Sequence, residues 1–207
     1  MANTKPVSHA RIVAAAQKEF EQYGFKDASM RNIATEAGMS ASGLYKHFPS
    51  KEEMFASLVD PTIEAFEREY RERESREYAE LGNEGVVTSE QMSGNRWAMG
   101  FIYDHIEAFR LLINKSDGTM YENYTHKVAL LEETATMMFI EELRRIGRKP
   151  AEISRKEMHL LVTTQVNALF EVVKHGFTRE EAMQYADKLD RFFMPGWFSV
   201  LGVEPEQ

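Results

Sequence analysis

With 207 residues, 43% of them hydrophobic and 28% charged, the chain is long enough for one or two domains with full cores, and its composition excludes a disordered or fibrous protein. It has no cysteine, which excludes disulfides and thiolate metal sites and points to a reducing compartment. The net charge of −8 would argue against nucleic acid were it evenly spread, but residues 1–51 hold seven Lys/Arg and four Asp/Glu, a net of +3, and the rest carries −11. A small basic head on an acidic body is the asymmetry expected if only the head meets DNA.

The first twenty residues, MANTKPVSHARIVAAAQKEF, carry charge throughout and do not read as a signal peptide. No later run approaches a membrane span, so a cytoplasmic protein is expected. After a polar arm, Met1 to Val7, Ser8 can cap a first helix. Its apolar positions Ile12, Ala15, Ala16, Phe20 and Tyr23 follow helical spacing, and Gly24 suits the residue past its end. Ser29 caps a second helix packed through Met30, Ile33, Ala34 and Ala37. Gly38 ends it, Met39 plugs the turn, and Ser40 starts a third helix.

Leu44 and Phe48, spaced i and i+4, point inward, so the same short helix shows Ala41, Ser42, Tyr45 and Lys46 on its other side. That face is small, hydroxyl-bearing and basic, which fits a DNA major groove. Two short helices about a glycine turn, with another helix directly after, make Ser29 to Lys51 a helix-turn-helix. Pro49 stops the third helix, and Ser50 with Glu53 forms a capping box for the fourth.

The fourth helix opens with Met54, Phe55, Leu58 and Val59, meets Pro61, which should kink or split it, and continues as TIEAFEREYRERESREYAE. Glu64/Arg68, Glu67/Arg71, Glu69/Arg73 and Glu72/Arg76 are i,i+4 pairs worth roughly 0.2–0.5 kcal/mol each, the pattern of a solvated face. GNEGVVTSE, Gly82 to Glu90, is a break. A helical stretch to about Lys115 then carries the stripe Ala98, Ile102, Ile106, Phe109 and Ile113, with Trp97 and Phe101 beside it. Ser116-Asp117-Gly118 breaks it.

From Thr119 to Ile146, the positions Tyr121, Tyr124, Val128, Leu131, Ala135 and Met138 predict one long amphipathic helix. Ser154 with Glu157 and Thr178 with Glu181 are capping boxes for two closing helices, and Gly176 ends the first of these. That helix has two apolar stripes, Met158/Leu161/Gln165/Ala168/Val172 and Val162/Val166/Leu169/Val173. The last helix, through Ala182, Tyr185, Ala186, Leu189, Phe192 and Phe193, runs into PGWFSVLG. Apolar surface on two sides of a helix calls for neighbours on two sides, an intrachain core and a partner helix. No period-2 pattern or internal repeat occurs, so the fold is predicted to be all-α.

The run IATEAGMSASGLYKHFPSKEEMF closely resembles the helix-turn-helix signature of the TetR family of bacterial transcriptional regulators, with Ala37-Gly38, Leu44-Tyr45, His47-Phe48 and Lys51-Glu52 in fixed register. The similarity covers about Ser8 to Leu58. The remainder resembles the family in being helical and of the usual length. The resemblance implies a DNA-binding domain over 1–52 and a helical ligand-binding and dimerisation domain over 53–207.

Carried over by position, it also implies phosphate contacts from Ser29, Lys51, Tyr45 and His47, and base-edge positions at Arg31, Ala41, Ser42 and Gly43. The helix N-terminus at Ser29 and the start of the fourth helix at Lys51 suit an anion on physical grounds. Arg31 can read guanine with a bidentate pair. Two positions depart from the family pattern: Ser42 stands where glycine is usual and Gly43 where a hydroxyl residue is frequent. Gly43 costs about 1 kcal/mol of helix stability and lets the backbone approach DNA closely. Ala41 offers a methyl contact.

Trp97, Phe101, Phe109, Tyr121, Tyr124, Met137 and Met138 are either core or, as the resemblance implies, the lining of an apolar effector pocket. The closing helices stand where the family dimerises, with Val162, Val166, Leu169, Val173, Tyr185, Leu189 and Phe192 as the candidate interface. The six histidines show no HxxxH or HExxH spacing and no nucleophile or phosphate-loop signature stands out, so neither a metal site, a cofactor nor an enzyme is expected.

The expected protein is a homodimeric regulator, a repressor released from a palindromic operator by a small, largely apolar inducer. The alternative is a TetR-like helical dimer acting as a coactivator or ligand carrier without operator binding.

Overall fold

The computed structural model describes the backbone of residues 5–84 and 94–202, and the side chains of those residues apart from 5–8, 78 and 80–84. Among the described residues the secondary structure is entirely helical: α1 (Lys5–Asp27), α2 (Met30–Glu36), α3 (Ala41–Tyr45), α4 (Lys51–Glu84), α5 (Asn95–Asp104), α6 (Ile106–Asn114), α7 (Tyr124–Arg145), α8 (Arg155–Lys174) and α9 (Arg179–Leu201). No helix among them is long and apolar enough to cross a membrane. The chain folds into two compact units, one from Met1–Ala65 with His105–Glu122, the other from Phe66–Asp104 with Asn123–Gln207.

The first unit is built on α1, whose Ile12, Ala16 and Phe20 are buried, as are Ile33 and Ala34 of α2, Leu44 of α3 and Phe55 of α4, the last meeting Phe20 edge-on at 5.1 Å. The helix begins before Ser8, so Ser8 is not its cap, and the Ser8 side chain lies outside those described. Tyr23, on the expected stripe, is exposed, because Gly24 breaks the helical geometry with φ +73° and turns the chain. Phe25 then stacks edge-on against Phe55, with centroids 5.5 Å apart, and its amide donates to the Lys115 carbonyl at 2.9 Å.

Residues 105–122 therefore belong to the head's own core. Phe109, Leu111 and Leu112 of α6 are buried there, and Tyr121 packs on Phe55 at 5.9 Å while its hydroxyl donates to Asp60. The segment after α6 does not join the next helix. Ser116 Oγ donates to the Leu112 carbonyl, Thr119 Oγ1 donates to the Ser116 carbonyl, and Gly118 takes φ +83° under the Lys26 side chain. The predicted Thr119–Ile146 helix accordingly starts at Tyr124.

Two other boundaries differ from expectation. Helix α4 runs through Pro61 as one element, so of the two outcomes expected there the split does not occur. The stretch to Lys115 is two helices parted at His105, where Tyr103 donates to the Phe177 carbonyl at 2.7 Å and Asp104 pairs with Arg179 at 2.6 Å, anchoring the end of α5. The break expected over Gly82–Glu90 lies largely outside the described residues.

The second unit packs the later turns of α4 with α5, α7, α8 and α9. Capping boxes at Ser154/Glu157 and Thr178/Glu181 start α8 and α9 as expected. Asn95 donates to Asp190 at 2.7 Å and Arg96 pairs with Asp187, tying α5 to α9. Buried Glu133 of α7 pairs with Arg155 at 2.8 Å and His159 at 2.9 Å on α8, and these two partners hold its carboxyl below the usual range.

Candidate nucleic-acid interface and internal cavity

Helix α3 has five residues, too short to be stable alone, and is held by its ends. Ser40 Oγ accepts the Gly43 amide at 3.1 Å, and the Leu44 side chain, fully buried, pins the middle. At the preceding turn Gly38 has φ +69°, a left-handed conformation that favours glycine, and the Arg11 guanidinium lies against it. With Leu44 and Phe48 inward, Ser42, Tyr45, Lys46 and His47 are exposed, Tyr45 by 49%, while Ala41 and Gly43 are half-buried.

The N-terminus of α2 carries exposed Arg31 on its first turn. Ser29 Oγ accepts the Asn32 amide, and the Ser29 amide itself donates to Glu19 Oε1 at 2.9 Å. A carboxylate of α1 therefore already caps this end, which narrows the anion site expected at Ser29 to the amides beyond it. Lys51 is also committed: Nζ donates to the carbonyls of Lys26 and Ala28 and lies over the Phe25 ring. Ser29, Arg31, Tyr45, Ser50 and Lys51 nevertheless border one open groove between the starts of α2 and α4.

In the second unit two adjoining cavities, each of about 100 Å³, share Tyr70, Glu74, Glu77, Glu132 and Gln165 in their walls. The first adds Phe139 and Trp197, the second Phe66, Arg73, Asn95 and Trp97. Phe66 stacks on Trp97 at 5.5 Å. Trp197 Nε1 donates to Gln165 and Gln165 to Asn95 at 3.3 Å, and separately the Tyr70 hydroxyl donates to Glu132 at 2.6 Å. Burial pushes the Glu77 carboxyl up to about 7 against the opposing pull of Arg73, and burial likewise raises Glu132 against its bond from Tyr70.

Residues 12–58 match the model of the bacterial regulatory proteins of the tetR family. A transcriptional regulator of Mycolicibacterium smegmatis, EthR, is 43% identical over 54 residues, 26% of this chain and 25% of that protein. The transcriptional repressor AcnR of Corynebacterium efficiens is 23% identical over 190 residues, 90% of this chain and 93% of its own. The crystal structure of a TetR-like transcriptional regulator from Rhodococcus sp. RHA1 superposes with a TM-score of 0.58 at 18% identity, covering 95% of this chain and 99% of that one. Residues 12–58 of this chain therefore form a domain of the tetR-family type. The chain spans under a third of the length of the first curated relatives it matches.

The structure places the sequence-predicted residues unevenly. Of the seven expected around a pocket, Trp97 lines the cavity, and Phe101 packs behind it against Phe66. Phe109 and Tyr121 are in the head's core, Tyr124 is buried against Phe170, Met137 is half-buried, and Met138 is exposed. Val162, Val166, Leu169 and Val173 turn inward and are fully enclosed by the chain's own core, as is Leu189, while Tyr185 is half-buried. Phe192 is 77% exposed, and the outward face of α8 carries Leu160 and Leu161 instead of the valine stripe. Tyr70, Arg73, Glu74, Glu77, Glu132, Gln165 and Trp197 also line the cavity, and no sequence pattern singles them out. The acidic residues at helical spacing with Tyr70 on α4 are explained equally by solvation.

Proposed function

We propose that this protein is a ligand-responsive, homodimeric DNA-binding repressor, with residues 1–52 reading DNA and 53–207 binding effector and partner. The observation that carries the reading is the exposed face of α3, where buried Leu44 and Phe48 leave Ser42, Tyr45, Lys46 and His47 to meet an operator. Arg31 supplies a side chain able to read guanine, and Tyr45, His47 and Lys46 contact phosphates. Ser29 and Lys51 border the same groove, Ala41 and Gly43 allow close approach, and Lys51 acts by holding the loop before α2.

Exposed Leu160, Leu161 and Phe192 support a second copy docking on α8 and α9. A two-fold dimer would present its α3 helices roughly 34 Å apart and prefer a palindromic site. The near full-length similarity to AcnR supports a repressor. The aromatic cavity supports an effector site, and α4, which lines it with Tyr70 and Glu77, carries Lys51 at its first turn and is the element through which effector opposes operator. A mobility shift on genomic fragments should find a palindromic site, lost in Tyr45→Ala with Lys46→Ala. Absence of any specific site would overturn the reading in favour of a coactivator or carrier.

A further inference from the structure

The cavity's two lobes have aromatic far walls, Trp97 with Phe66 in one and Trp197 with Phe139 in the other, and three of the five residues they share are the acids Glu74, Glu77 and Glu132. Against these stands one guanidinium among the described lining residues, Arg73. That guanidinium already shows how a cation is held here: it pairs with Glu77 at 2.6 Å and lies 5.9 Å from the Trp97 ring. The second shared carboxylate, Glu132, is held by the Tyr70 hydroxyl.

Resting on the reading of this cavity as the effector site, we propose that the effector is an organic cation, a protonated or quaternary amine bearing an aromatic group, whose charge sits at Glu132 between the lobes while its ring stacks in an aromatic end. A neutral apolar ligand would leave the Glu77 and Glu132 carboxyls held toward their neutral forms, and an anionic one would oppose their ionisation further. A cation favours the charged form of these carboxyls and meets the aromatic walls.

The chain's two tryptophans, Trp97 and Trp197, both line the cavity, so quenching of intrinsic fluorescence reads occupancy. The probes are 4-phenylbutylamine, 4-phenylbutan-1-ol and 4-phenylbutyrate, one skeleton in three charge states, titrated into the full-length protein. The amine should bind about tenfold more tightly than either of the others. Glu132→Gln should bring the amine to the alcohol's affinity and move the alcohol by less than about twofold. Should that variant fail to fold, Glu77→Gln reads the same loss. An alcohol or carboxylate that binds as tightly as the amine overturns the cation inference and leaves the effector cavity standing. Failure of all three probes to quench overturns both.

Discussion

The Lys51 ammonium stands 4.6 Å above the ring of Phe25 and donates to the carbonyls of Lys26 and Ala28 at 3.0 and 3.2 Å. The loop that delivers Ser29 to the start of α2 is thus stapled by the first residue of α4. Lys51→Ala should lower unfolding free energy by about 1–3 kcal/mol, read by urea denaturation, and weaken all DNA sequences alike. A loss of DNA affinity with unchanged stability would return Lys51 to a direct phosphate role.

Arg31 projects from the first turn of α2 and no ion pair engages it among the described residues. Arg31→Ala should relax base preference by about 1–3 kcal/mol in competition binding, while Lys46→Ala should reduce affinity for every sequence and flatten its salt dependence.

Phe192 is exposed on α9 and Val162 is enclosed beneath α8. Phe192→Glu should therefore yield monomers in sedimentation experiments with the unfolding midpoint of the isolated chain preserved. Val162→Ala should cost about 1–3 kcal/mol of stability and leave association unchanged.

Glu77 is faced by Arg73 and Glu74 on its own helix and by Glu132 from α7, and burial lifts its carboxyl from the usual 4.5 to about 7. The folded state therefore binds this proton more tightly than the unfolded chain. The resulting stability is fully present below about pH 4.5 and is lost as pH rises through about 7. Thermal melting should fall by a few degrees between about pH 6 and 8, and Glu77→Gln should flatten that slope.

The head was legible because its signals are local. Leu44 and Phe48 at i,i+4, and Gly38 at the turn, decide which side of α3 faces out within a dozen residues of sequence. The role of Lys51 was not, since a helix-start lysine suggests an anion from its own dipole, and the carbonyls that engage it lie 23 and 25 positions earlier. Tyr121 looked like a helix residue by spacing and is a head residue because it finds Asp60. On α8 two apolar stripes were visible, but periodicity does not say which one meets the chain's own core. The Glu/Arg run on α4 read as solvated because i,i+4 pairing looks the same wet or dry; Arg73 and Glu77 make such a pair inside a cavity wall.

The head's core is closed by two stretches of chain that are far apart in synthesis order. Residues 1–65 leave the ribosome first, yet Phe55 gains Tyr121, and Phe25 its bond to Lys115, only after about fifty further residues have been made. At bacterial elongation rates of roughly 5–20 residues per second, the nascent head waits several seconds with its aromatic wall open. A hybrid regulator made by splicing this N-terminal segment onto another body would inherit that open wall permanently unless residues 105–122 travelled with it.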